Sequence, residues 1–184
     1  MNCGEELKEP SNRSDYCMTS AREFIIMYGG YDDWSWVAYN ELWTYNTING
    51  IWKRYHPPIK GPNACIHSSI CSVGNLVYIF GGTVSPDSCL SSNSLISFDV
   101  GNATWKIFWE HTDDYDQNTP PPMIESCIFH HNGSLYVLGG LCNDDYLESM
   151  FKFCLKTSKW SVVPQNGLKP PIQGRILGTV FMNQ

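Results

Sequence analysis

Short, strongly apolar runs recur along this chain, and each one ends in a pair of glycines. Phe24-Ile25-Ile26-Met27-Tyr28 runs into Gly29-Gly30, Leu76-Val77-Tyr78-Ile79-Phe80 into Gly81-Gly82, and Leu135-Tyr136-Val137-Leu138 into Gly139-Gly140. Runs of this length, rich in β-branched and aromatic residues and closed by glycine, predict buried strands. The doublets are spaced by 52 and 58 residues, and a tryptophan follows each first glycine by 23, 24 and 21 positions, at Trp52, Trp105 and Trp160. The unit is therefore phased at both ends.

Four strand-like pieces recur in each unit. A small or polar first strand is expected within Arg13 to Thr19, and again at Ala64-Cys65-Ile66-His67-Ser68-Ser69-Ile70. The turns Val73-Gly74-Asn75 and His131-Asn132-Gly133 lead from it into the apolar run. A third strand follows a loop, at Leu42-Trp43-Thr44-Tyr45, Leu95-Ile96-Ser97-Phe98 and Met150-Phe151-Lys152-Phe153. Tight connections such as Asn49-Gly50 and Gly101-Asn102 then reach the strand that carries the tryptophan. Helical repeats would need apolar residues at i, i+3 and i+4, and these segments lack that spacing.

A period near 50 residues with four short strands matches a propeller blade, and the doublet, third-strand aromatic and tryptophan pattern resembles the kelch family. The expected fold is all-β: a kelch-type β-propeller of about three four-stranded blades and the first strand of a fourth. The blades are expected near 13–55, 62–109 and 123–163, the next opens over 174–184, and a flexible segment covers 1–12. Gly29, Gly30, Gly81, Gly82, Gly139, Gly140, Tyr45, Phe98, Phe153, Trp52, Trp105 and Trp160 are read as scaffold. The doublets tolerate positive φ and close backbone approach, and the aromatics press blade on blade. Propellers close with four to eight blades, so this array reads as a piece or a half of one.

In an antiparallel meander, the second-to-third connections and the blade-to-blade connections emerge on the same side. Both classes are long here, at 31–40, 83–93 and 141–147 within blades and 56–63, 108–123 and 164–174 between them. Long loops on a rigid scaffold are the expected place for binding residues. Trp34, Trp36, Tyr39, Tyr115 and Tyr146 are the candidate partner-binding aromatics on this face. They stand among Asp32, Asp33, Asp87, Asp113, Asp114, Asp116, Asp144 and Asp145, which favour a partner of basic character if they do more than solvate the loops. For Trp34 and Trp36 the alternative is that they fold back over the blade.

The formal net charge of −6 leaves no basic stripe for phosphates, so nucleic acid is not an expected partner. The longest apolar stretches are of strand length, well short of the ~20 residues of a membrane helix. Met1 to Glu9 carries acids where a secretory signal needs bases, so the chain reads as intracellular, cytoplasmic or nuclear, with no membrane partner. The eight cysteines include no CxxC pair and read as reduced, small apolar residues. No cofactor or metal is expected. The five histidines are scattered, no catalytic fingerprint appears, and Asp113-Asp114-Tyr115-Asp116 lacks the glycine and terminal glutamate of a calcium loop. The expectation is thus a binding module and no enzyme, with a galactose-oxidase-like propeller enzyme as the remote alternative.

Three stretches resemble one branch of the kelch family more closely: Asn40 to Tyr45 with Gly50-Ile51-Trp52, Asn132 to Gly140, and Leu155 to Trp160. The resemblance implies a substrate receptor of a cullin-2 ubiquitin ligase that reads the free C-termini of its targets. Elongin and cullin-2 components would then be partners through regions absent here, and Arg175 is the basic residue nominated for a carboxylate pocket. A general kelch interaction scaffold with no ligase role is the alternative.

Overall fold

The structure, a computed structural model, describes residues 9–58, 65–86, 90–169, 171–172, 174–176 and 178. Asp87 and much of the expected opening strand over 174–184 lie outside the described residues, as do residues 1–8 of the N-terminal segment.

The described chain is all β. Its strands are β1 (Cys17–Ala21), β2 (Phe24–Tyr28), β3 (Tyr31–Asp32), β4 (Val37–Ala38), β5 (Leu42–Asn46) and β6 (Ile51–Tyr55). The second unit holds β7 (Ser69–Val73), β8 (Leu76–Phe80), β9 (Leu95–Asp99) and β10 (Thr104–Trp109). The third holds β11 (Cys127–His131), β12 (Ser134–Leu138), β13 (Leu141–Cys142), β14 (Asp145–Tyr146), β15 (Met150–Cys154) and β16 (Lys159–Val162). They form three four-stranded antiparallel meanders, β1-β2-β5-β6, β7-β8-β9-β10 and β11-β12-β15-β16, which are the blades. Two small hairpins, β3-β4 and β13-β14, stand on the second-to-third connections of blades one and three.

One expectation needs correction. The first strands begin later than the sequence pattern suggests, at Cys17 and Ser69, because the residues before them turn sharply. Asp15, His67 and Glu125 adopt φ of 56°, 55° and 60°, which strands do not accommodate. The three stand two residues before β1, β7 and β11. The Arg175 stretch shows no strand among its described residues; Arg175 and Ile176 lie beside Cys17 and Cys127 at the inner ends of the blades.

Burial follows the pleat. Ile26, Tyr28 and Leu42 of blade one meet Val77, Ile79 and Phe98 of blade two in one core. Tyr78, Phe80 and Leu95 on the opposite face of blade two meet Leu135, Val137, Phe153 and Trp160 of blade three in a second. The innermost strands β1, β7 and β11 lie next to one another in that order. Glycine at 81 lets blade three approach: a Cβ there would stand 2.6 Å from the Met123 carbonyl oxygen, and the next amide, Gly82, donates to that oxygen at 3.1 Å. Gly30 donates to Cys65 O in the same way at 3.0 Å, so the doublet ties each of the first two blades to the next.

Candidate functional site

Both classes of long connection gather at one end of the blades. The segment leading into each blade bridges to the start of that blade's second-to-third connection, as Ser14 to Tyr31, Ile66 to Thr83 and Ile124 to Leu141.

On blade one the sequence Asp32-Asp33-Trp34-Ser35-Trp36 makes a turn around a single carboxylate. Asp32 accepts the Trp34 amide at 2.9 Å and the Ser35 hydroxyl at 2.6 Å, while the Trp36 amide donates to Asp32 O at 2.9 Å. The Ser35 hydroxyl and the Trp34 amide hold the Asp32 carboxyl below its ordinary range. Trp36 closes the turn at φ 58°. Both indoles are thrown outward, Trp34 95% and Trp36 73% exposed, and neither folds over the blade.

Tyr39 is half-buried, and the Arg13 guanidinium lies 3.9 Å from its ring centre. Arg13 in turn pairs with Glu41 at 2.8 Å, and Glu41 also accepts the Trp43 indole N–H at 2.7 Å. Tyr39 therefore takes part in the internal packing of blade one. Tyr115 is exposed on the connection between blades two and three, whose base is held by the fully buried Asn93. That side chain donates to the carbonyls of Thr112 and Pro120, both at 3.0 Å, and accepts the Thr112 amide at 3.0 Å. Tyr146, on β14, points its hydroxyl at Glu125 Oε2, 3.4 Å away, and that carboxylate pushes the phenol's pKa up. The nominated aromatics thus stand on three separate connections around one end of the propeller.

At the centre of that end, the residues with positive φ form a chain of their own. The His67 amide donates to Asp15 O and the Glu125 amide to His67 O, each at 3.1 Å. The His67 Nδ1 atom stands 3.6 Å from Asp15 Oδ1 and 3.7 Å from Glu125 Oε1. Just inside lies a cavity of about 120 Å³, lined by Cys17, Ser68, Ser69, Ser126, Cys127 and Arg175 among others. The Ser69 hydroxyl is engaged with Ser126, donating to its carbonyl at 2.5 Å. Arg175 is exposed at the rim, with Nη2 3.5 Å from Tyr16 O. Among the described residues no group of three His, Cys, Asp or Glu is arranged to hold a metal ion.

Two arrangements were not foreseen from the sequence, the axial Asp15-His67-Glu125 chain and the Arg13-Glu41 pair. The first left a signal, since all three residues precede the first glycine of their doublet by 14 positions. The second left none, because its members are 28 residues apart in the sequence.

The comparison with known proteins agrees with this architecture. Residues 2–184 match the KLHDC2/KLHL20/DRC7 Kelch-repeats domain. The chain belongs to this kelch-repeat family. It is 24% identical over 171 residues to kelch domain-containing protein 10 of Homo sapiens, covering 88% of this chain and 38% of that protein. It is 25% identical over 159 residues to kelch domain-containing protein 1 of Mus musculus, covering 80% of this chain and 37% of that protein. The leucine-zipper-like transcriptional regulator 1 homolog of Drosophila melanogaster is 24% identical over 173 residues, which is 92% of this chain and 17% of that protein. The chain therefore spans about two fifths of the length of the kelch domain-containing relatives. Kelch repeats of this kind are protein-interaction domains.

Proposed function

We propose that the long-connection end of the blades is the recognition surface, and that it binds a protein segment of basic character in the cytoplasm or nucleus. The observation that carries this is the β3-β4 hairpin: it holds two indoles in solvent on a hydrogen-bonded turn, beside Asp32 and Asp33. Large aromatics held rigidly in water are the residue type that anchors interfaces, and neighbouring acids steer a cationic partner. The work done here is binding. The test is capture of interacting proteins by the wild-type chain and by a Trp34→Ala, Trp36→Ala double variant. Partners lost from the double variant support the reading; an unchanged set of partners refutes it.

A finer reading, substrate receptor of a cullin-2 ubiquitin ligase that reads target C-termini, draws on Arg175. A guanidinium at the rim of a hydroxyl-lined axial cavity is suited to a terminal carboxylate. Against it stand the carboxylates of Asp15 and Glu125 at the same end. Peptides with free and amidated C-termini separate the two readings: affinity that disappears on amidation, and in Arg175→Met, supports carboxylate reading, and indifference to both sinks it.

A further inference from the structure

Asparagine is a chemically labile residue, and most of all when glycine follows it. The amide nitrogen of the next residue attacks the carboxamide carbon, and glycine leaves that nitrogen unshielded because it has no side chain. This chain holds three such pairs, Asn49-Gly50, Asn132-Gly133 and Asn166-Gly167. All three are exposed, so access to water does not rank them. The backbone does, because ring closure needs rotation about the Cα–C bond of the asparagine.

Two of the pairs are locked in hairpin turns. Asn49-Gly50 lies between β5 and β6, where Asn46 pairs with Ile51. The Gly50 amide donates to Asn46 O at 2.8 Å, and Asn49 Oδ1 accepts the Ile51 amide at 3.1 Å, so nucleophile and carboxamide are both engaged. Asn132-Gly133 is the two-residue turn between β11 and β12, at φ 45° and 70°, with His131 and Ser134 paired on either side. Rotation inside this left-handed turn would break the ladder that it closes. Asn132 Nδ2 is also held 2.9 Å from His131 Nε2.

Asn166-Gly167 has none of these restraints. It stands on the connection that leaves β16, past the bond from the Val163 amide to Met150 O at 2.8 Å. Gln165 Nε2 donates to Glu148 O at 2.8 Å, which anchors the segment without tying the pair. Among the described residues, no backbone-to-backbone hydrogen bond involves positions 164–169 and none reaches the Asn166 side chain. Gly167 takes φ 90°, and nothing lies within 4 Å of where a Cβ would stand.

We propose that Asn166 is a site of self-modification, converted to aspartate and isoaspartate while Asn49 and Asn132 persist. Base takes the Gly167 amide proton, the nitrogen forms a bond to Asn166 Cγ, and the carboxamide C–N bond breaks as ammonia leaves. Water then opens the cyclic imide. Attack on Cγ gives aspartate, and attack on the main-chain carbonyl routes the backbone through the side chain as isoaspartate. The net change is uptake of water and loss of ammonia, with no oxidant and no cofactor. It puts a negative charge on the long-connection end, near Lys169, whose Nζ lies 3.9 Å from Glu148 Oε2. The reaction needs no partner, so it is independent of what that end binds.

The test is peptide mass spectrometry of the folded 184-residue chain, held at mildly alkaline pH and sampled over time. Asn166 is expected to convert at least severalfold faster than Asn49 and Asn132, to yield both acids, and to speed up as pH rises. Gly167→Ala is expected to slow it severalfold by shielding the nitrogen. In urea, where the turns are lost, the three rates are expected to converge. Conversion of Asn49 or Asn132 as fast as Asn166 in the folded chain overturns the proposal, and so does an unchanged rate in Gly167→Ala. An order that persists in urea overturns it too, because neighbouring sequence and not the fold then sets the rates. Aspartate without isoaspartate does the same, since direct hydrolysis gives only the former.

Discussion

Replacing Glu41 by methionine strands the Arg13 guanidinium inside blade one. The two side chains are 7% and 1% exposed, so neither charge has water to turn to. At their 2.8 Å separation the attraction is about 6 kcal/mol for an effective dielectric constant near 20, set against the desolvation of both groups. Breaking a buried pair by removing one partner costs about 3–5 kcal/mol, whereas replacing both partners with apolar groups of similar volume is close to neutral. Arg13 keeps the Gly29 carbonyl at 3.2 Å and the Ser11 carbonyl at 3.1 Å, which places Glu41→Met near the lower end of that range. Arg13→Met leaves Glu41 with the Trp43 indole at 2.7 Å and Arg54 at 3.6 Å, and a similar loss. The assay is equilibrium urea unfolding of wild type, both single variants and the double variant. The double variant is expected within ~1 kcal/mol of wild type, a coupling of several kcal/mol. Losses that add across the two singles, or singles below ~1 kcal/mol, would refute the reasoning.

Gly81→Ala puts a Cβ at φ 69°, 2.6 Å from the Met123 carbonyl oxygen, and is expected to lose more than about 2 kcal/mol in the same unfolding assay. Gly74→Ala, with nothing within 4 Å, carries only the positive-φ strain and is expected to lose less. Trp34→Ala and Trp36→Ala are expected to leave stability within about 0.5 kcal/mol of wild type. The same changes are expected to weaken partner binding by about 2 kcal/mol or more, read by calorimetry. The thiols are expected to react in a set order. Burial pushes Cys17, Cys65 and Cys71 up to about 12, so in the native state they stay protonated and inert below that pH. Hydrogen bonds from Thr157 hold Cys154 below its ordinary value, so among the described cysteines it forms thiolate first as pH rises. Iodoacetamide labelling followed by peptide mass spectrometry is expected to find Cys154 modified before Cys17, Cys65 and Cys71, and labelling of Cys17 ahead of Cys154 would contradict the buried assignment.

The blade core was legible because its chemistry is local. Apolar runs, β-branched residues and closing glycines specify strand and turn within a few residues, and β2, β8 and β12 fall where those runs lie. The third strands were legible for the same reason, and so was the placement of both classes of long connection at one end, which follows from meander topology. The first strands were misplaced because their start depends on a neighbouring blade. Asp15, His67 and Glu125 leave the strand conformation to pass a backbone hydrogen bond from blade to blade, and a single unit contains no sign of that partner.

The site divides in the same way. Trp34, Trp36, Tyr115 and Tyr146 could be named from aromatic content in long loops. Tyr39 has the same local signature, yet the structure stacks it under Arg13. The sequence by itself determined the repeat, its four strands and the end of the blades where its loops collect, since those depend on periodicity and turn chemistry. Only the tertiary structure decided which aromatics reach water and which charges are buried as a pair. Those outcomes depend on residues far apart in sequence meeting across blades, where burial and desolvation, and not local propensity, set the energy.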